Sequence, residues 1–200
     1  MQNRGLHDFS LASLKTIFFM RINIFAVLNL IFFVSVFSVV FFGRLLFPPT
    51  VYDQWTPWPS EVFQNNFILI VLIIFLSNLA LAAFLTVTLP GILFFPLSAV
   101  ALIYKAVLWC SLLYPVSGRI MLAVLPTLFL EGEAYVISAG AGTIAGFSWL
   151  FSKKLYKEEM LSRKEAFESG LKECLRLYIL VASLLLIAAM VETTTLMLLS

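Results

Sequence analysis

From Phe63 to Tyr114 the chain carries a single charged residue, Lys105. As one α-helix that run would be about 78 Å long, more than twice the ~30 Å hydrocarbon layer of a bilayer, so it has to fold back on itself. Pro90-Gly91, with Pro96 close behind, supplies the place to do so. The run therefore predicts two membrane segments, 63–89 and 95–114. The rest of the chain belongs to the same class: 62% of its 200 residues are hydrophobic and 12% are charged. Such a balance describes a polytopic membrane protein and not a soluble domain.

The remaining segments follow from the same reasoning. Residues 22–47, dense in Phe and Val, read as a first span that Pro48-Pro49 ends. Trp55 and Trp58 follow in a loop without Lys or Arg and read as an aromatic belt at the outer face. Before the span, residues 1–21 carry Leu6, Phe9, Leu14 and Ile17 at helical spacing among Arg4, Lys15 and Arg21, the pattern of a cytoplasmic amphipathic helix. The apolar run after Arg21 is too long for a cleaved signal peptide and lacks an A-x-A exit.

Residues 120–151 are again too long for one straight span. Pro126 removes a backbone donor and Gly132 is an easy place to unwind, so a broken helix near Pro126–Gly132 is expected, with a true span from 132 to 151. Residues 153–176 mix Lys and Arg with Glu around a stripe of Tyr156, Met160, Phe167, Leu171 and Cys174, and read as a second cytoplasmic amphipathic helix. Residues 177–199 form the last span. The expected fold is all-α: one integral membrane domain over residues 1–200, about five spans in a bundle, plus the interfacial helices.

Charge sets the orientation. Of the 13 Lys and Arg, ten flank one face of this scheme, Arg44 and Arg119 flank the other, and Lys105 is embedded. The bias puts the N-terminus in the cytoplasm and, with five spans, the C-terminus outside. Cys110 and Cys174 fall at different levels, so no disulfide is expected. The only histidine is His7, which leaves no set for a His-based zinc site or a His-dependent triad, and no nucleotide-binding fingerprint occurs. The reading is a non-enzymatic chain with no cofactor, no metal site and no nucleic-acid partner.

Polar residues inside apolar runs are the informative ones. An acid at the centre of a membrane helix costs about 2.5–3.5 kcal/mol on insertion scales, so Glu131, Glu133 and Glu192 mark functional or packing sites. Lys105 lies about 13 Å from either end of its span, too far to snorkel fully, so it pairs with a buried acid or lines a wet cavity. Asn65, Asn66 and Asn78 lie on the second span, where amides bond across helices. Glu131 and Glu133 point about 200° apart on a regular helix. Glu131 is therefore expected to face inward with Glu192, Lys105 and Asn78 nearby, and Glu133 to turn to the outer rim. After them, Ser138, Gly142 and Gly146 define a strip of small residues with a literal G-x-x-x-G, suited to close helix approach.

Three stretches resemble the stage II sporulation protein M family of membrane proteins. They are Phe75-Leu-Ser-Asn78-Leu-Ala-Leu-Ala-Ala-Phe continuing to Pro90-Gly91; Leu125-Pro126 followed by Glu131, Ala134, Gly140 and Gly142; and Leu184-Leu-Leu-Ile-Ala-Ala-Met-Val-Glu192. Together they cover residues 63–200 in the family's order. Thr127-Leu128 stands where the family has His-Gly, and the Tyr104-Lys105 region replaces its Asn-Gly pair. The resemblance implies a multi-pass scaffold that works with cell-envelope enzymes in spore formers, with the lipid bilayer and other membrane or cell-envelope proteins as partners and a homo-oligomer as a further form. The alternative is a transporter or channel subunit whose polar site is built from Glu131, Glu192 and Lys105, in the manner of ion sites at broken helices.

The charge bias makes the topology testable. Single cysteines placed at Thr50 and Ser200 are expected to react with an impermeant maleimide from outside intact cells. Labelling of Ser200→Cys only after permeabilisation would contradict the five-span scheme.

Overall fold

A computed structural model describes residues 21–46, 66–113, 118–152 and 162–199. The expected amphipathic helix at 1–20, the Trp55/Trp58 loop and the Lys153–Lys157 cluster lie outside the described residues. The described chain is helical: α1 (Ile22–Leu46), α2 (Phe67–Leu76), a π-helical segment (Ser77–Thr88), α3 (Leu89–Leu93), α4 (Pro96–Leu113), α5 (Gly118–Leu150) and α6 (Arg163–Leu199). Three stretches are long and apolar enough to cross a membrane: Ile22–Phe42, Phe67–Leu93 and Arg163–Leu198. Large apolar side chains such as Phe41, Ile68, Leu81 and Leu198 stand exposed on them. That surface is compatible with an integral membrane protein.

The helix α5 lies at the centre, touching α1, the π segment, α3, α4 and, most extensively, α6. From Ala134 to Gly142 every residue is buried. This explains why the most enclosed helix is not among the three most apolar ones. A helix that faces protein on all sides needs small residues for close contact, not large apolar ones for lipid.

Three breaks differ from the sequence expectation. The helix α5 runs unbroken through Pro126 and Gly132. A proline inside a helix costs about 3 kcal/mol, whereas unwinding in an apolar layer strands several backbone groups at about that cost each. Gly132 instead admits the Phe32 ring of α1, which a Cβ would meet at 2.7 Å.

The turn expected at Pro90-Gly91 falls at Phe94, which is extended at φ −150° and ψ 108°. Pro90 is the second residue of α3, and the helical backbone runs through Thr88 and Leu89 into it without a break. The third difference is that α6 merges the expected helix 153–176 with the span 177–199 from Arg163 onward. Its start carries a capping box, with Ser162 N donating to Glu165 Oε2 at 2.8 Å and Glu165 N to Ser162 Oγ at 3.3 Å. Its buried face is Ala166, Gly170, Cys174, Leu177, Val181, Leu185 and Ala188, not the larger Phe167–Leu171 stripe. Ala145 and Ser148 of α5 leave no room for a larger side chain at Gly170, and Leu171 stands exposed.

Between Ser77 and Thr88 the turns widen to an i→i+5 register. Thr86 Oγ1 donates to the Leu81 carbonyl and the Leu89 N–H to that of Phe84, each five residues back. The buried residues Ala82, Ala83, Val87 and Thr88 recur at the wider spacing. The end of this segment rests on the small-residue strip of α5. A Cβ on Gly142 would stand 2.6 Å from the Thr88 carbonyl oxygen, and one on Gly146 would run into the Gly91 carbonyl. Ser138, whose Oγ donates to the Ala134 carbonyl at 2.8 Å, accepts on its own carbonyl from Thr88 Oγ1 at 3.0 Å.

Backbone cannot yield as a flexible side chain can, so the glycines are unequal. Gly142→Ala and Gly146→Ala are expected to destabilise the protein by about 1–3 kcal/mol each, the range for overpacking. Gly132→Ala, which meets a ring that can shift, should cost less. Thermal unfolding in detergent reads the order, and equal midpoints for all three variants would contradict it.

Candidate functional site

Asn78 lies near the middle of Phe67–Leu93, and Lys105 near the middle of Pro96–Leu113. At that depth Asn78 Nδ2 donates to Glu131 Oε1 at 2.8 Å, and the Tyr135 hydroxyl donates to Asn78 Oδ1 at 3.2 Å. Both ends of the amide are therefore engaged. Glu131 and Tyr135 are one helical turn apart on α5, which sets them on the same face. Glu131 is 2% exposed and Tyr135 1%.

From α6, the Glu192 carboxyl meets that of Glu131 within hydrogen-bonding reach. Two ionised carboxylates offer only acceptors, so this contact is a hydrogen bond when one proton is held between them.

Lys105 and Trp109 of α4 address the other side of Tyr135. The Lys105 ammonium lies 5.4 Å from the Tyr135 ring centroid, and the Trp109 and Tyr135 rings stand edge to face at 5.8 Å. The ammonium also feels the charge of Glu131 through space. A cation over an aromatic face is worth about 0.5–2 kcal/mol, a partial return on embedding it.

Glu133 points the other way, toward Asn29 of α1, and is half-buried there and not turned to an outer rim. Asn29 itself donates to the Phe25 carbonyl at 3.3 Å. Because α5 is enclosed, both acids find partners without unwinding at Gly132. Asn66 caps α2, its Oδ1 accepting from Leu69 N at 3.2 Å, and so serves an end and not an interhelical bond. The side chains of Arg44 and Arg119 and the whole of Asn65 lie outside the described residues.

A second polar contact sits one layer away, where Thr88 Oγ1 and Tyr178 Oη lie 2.6 Å apart. The Thr88 proton goes to the Ser138 carbonyl, so the Tyr178 hydroxyl donates to Thr88. Tyr135, Asn29, Thr88 and Tyr178 were not singled out by the sequence. Only Tyr135 carried a signal, its i+4 spacing from Glu131. Cys110 and Cys174 are buried free thiols. No group of three His, Cys, Asp or Glu gathers among the described residues.

The cluster joins the π segment to α5 by two hydrogen bonds, with the Glu192 carboxyl of α6 and the Lys105 cation close by. Chemically it can hold a proton and lock α2's π continuation, α5 and α6 in register. No protein-family model, curated protein or solved structure matches the chain.

The members of this cluster are separable by substitution. Glu131→Ala takes the partner from the half-buried Asn78 amide NH2 and the half-buried Glu192 carboxyl, at up to about 1–3 kcal/mol for each group stranded. Glu192→Gln keeps a donor facing Glu131 and is expected to cost less than 1 kcal/mol. Unfolding midpoints in detergent compare the two, and a Glu192→Gln variant as weak as Glu131→Ala would refute the shared-proton arrangement.

Proposed function

We propose that this chain is a multi-pass membrane scaffold, five spans arranged around α5, with a cytoplasmic N-terminus and an outside C-terminus. It organises a membrane or cell-envelope complex in the manner of the stage II sporulation protein M family, of which it is a divergent member. One observation carries the reading. Asn78, Glu131 and Glu192 come from the three separate stretches that carry the resemblance, and they meet at one point in the bundle. Glu131 is sealed there, which suits a lock between helices better than a site that exchanges ions with water. The glutamates then act as structural anchors, and the Ser138–Gly146 strip as the seam on which the π segment rests.

A transporter or channel subunit is the second reading. It is favoured by the carboxyl pair with Lys105 beside it, because intramembrane ionisable groups commonly mark proton or ion paths. The two readings part in reconstituted liposomes. The scaffold is expected to give no proton flux above protein-free liposomes while retaining an envelope protein through purification from its native membrane. Proton flux that Glu131→Gln abolishes would overturn it in favour of the transporter.

A further inference from the structure

Away from the polar cluster, a cleft of about 410 Å³ opens at the end of the bundle between α3, α5 and α6. Ile92, Leu93, Trp149 and Phe167 form its walls, and Arg163 and Lys164 complete the lining. Its volume is within the usual range of small-molecule sites, and the surface facing it is almost wholly apolar. The Trp149 indole is fixed, because its Nε1 donates to the Ile92 carbonyl at 3.2 Å. That bond satisfies a carbonyl left over at the end of α3 and turns the ring into a rigid wall.

The position of this cleft narrows what fills it. Leu93 ends the Phe67–Leu93 stretch and Trp149 stands one residue before the end of α5, so both lie at one boundary of the apolar layer. Arg163 and Lys164, at the start of α6, are exposed, with their stems along the cleft and their charges free to reach outward. A ligand that fits therefore has an apolar body in the layer and an anion at its surface. A second copy of this chain docking through the same face would set these cations against their own counterparts, an unfavourable pairing.

We propose that the cleft binds an anionic phospholipid, with one acyl chain against Ile92, Leu93, Trp149 and Phe167 and the headgroup phosphate between Arg163 and Lys164. Basic pockets between membrane helices are suited to such headgroups, and Arg in particular to phosphate oxygens. The proposal needs only that the chain is membrane-embedded; it is independent of the scaffold reading.

Native mass spectrometry of the full chain in detergent, doped with phosphatidylglycerol or with phosphatidylcholine of the same acyl chains, tests it. One phosphatidylglycerol per chain should be retained in preference to phosphatidylcholine. Arg163→Gln with Lys164→Gln should lower that retention about twenty-five-fold, from roughly fivefold per cation near an anionic headgroup. Lys172→Gln, an exposed lysine further along α6, should leave it unchanged. Leu93→Trp fills the cleft while keeping both charges and should also release the lipid. Millimolar inorganic phosphate should not displace it. Equal retention of the two lipids, an unaffected double variant, displacement by phosphate, or a dimer closed over this face in place of lipid would each overturn the proposal.

Discussion

The arrangement depends on how closely other backbones approach α5. In an apolar layer, lipid competes with neighbouring helices for apolar surface, so burial alone brings little association. What remains is contact at short range, and that requires the absence of side chains. Gly142 and Gly146 let the carbonyls of Thr88 and Gly91 come nearer than any Cβ permits, and Gly170 lets α6 close on Ser148. Ser98 Oγ, which donates to the Val87 carbonyl at 3.1 Å, fills the same narrow space from α4. The π segment, α3 and α4 thus converge on one strip of α5 while α6 closes on its adjoining face, and the large apolar side chains are displaced to the outside.

Close packing by small residues has little directional information, since such seams can slide. The polar groups supply it. The Asn78 amide bonds Glu131 with one end and receives Tyr135 with the other, which fixes the π segment against α5 in register and rotation. Glu192 fixes α6 to the same point. Further toward the Arg21 end, Tyr178 and Thr88 tie α6 to the π segment again, and Arg21 pairs with Glu173 at 3.4 Å to join the start of α1 to α6. The widened turns belong to the same design. Asn78 and Thr88, at the two ends of the widened stretch, both bond to α5.

The helical class and the membrane character were legible in the sequence because hydropathy adds up over whole segments and tolerates local error. Asn78, Glu131, Glu192 and Lys105 stood out because polar groups in apolar runs are costly enough to need a reason. Their partners did not stand out. Tyrosines are common in apolar helices and carry no charge, so nothing along the chain marked Tyr178 as a hydrogen-bonding residue, and Tyr135 had only its i+4 spacing from Glu131. The course of α6 was misjudged for a related reason. The charged stretch around Arg163–Arg176 looked like a separate surface helix, yet Ala166, Gly170 and Cys174 face α5 just as Leu177 and Val181 do. Small residues score low on hydropathy and still carry the close contact.

The prolines show most clearly why helix breaks were harder to place than helices. Pro96 begins α4, where its missing N–H has no intrahelical partner to lose, and Phe94 just before it is extended. That turn lies at the boundary of the apolar layer, beside Trp149, where water can hydrogen-bond whatever the helices leave unpaired. Pro126 occurs within α5, exposed on its surface several residues before the enclosed stretch 134–142, and there the chain stays helical despite it. Breaking at Pro126 would trade one lost hydrogen bond for several unsatisfied groups, each costing as much as the proline itself. The same residue type thus begins one helix and is carried through another, and the environment of its backbone decides which. Depth in the layer is a property of the assembled bundle, so local sequence alone reads Pro126 and Pro96 alike.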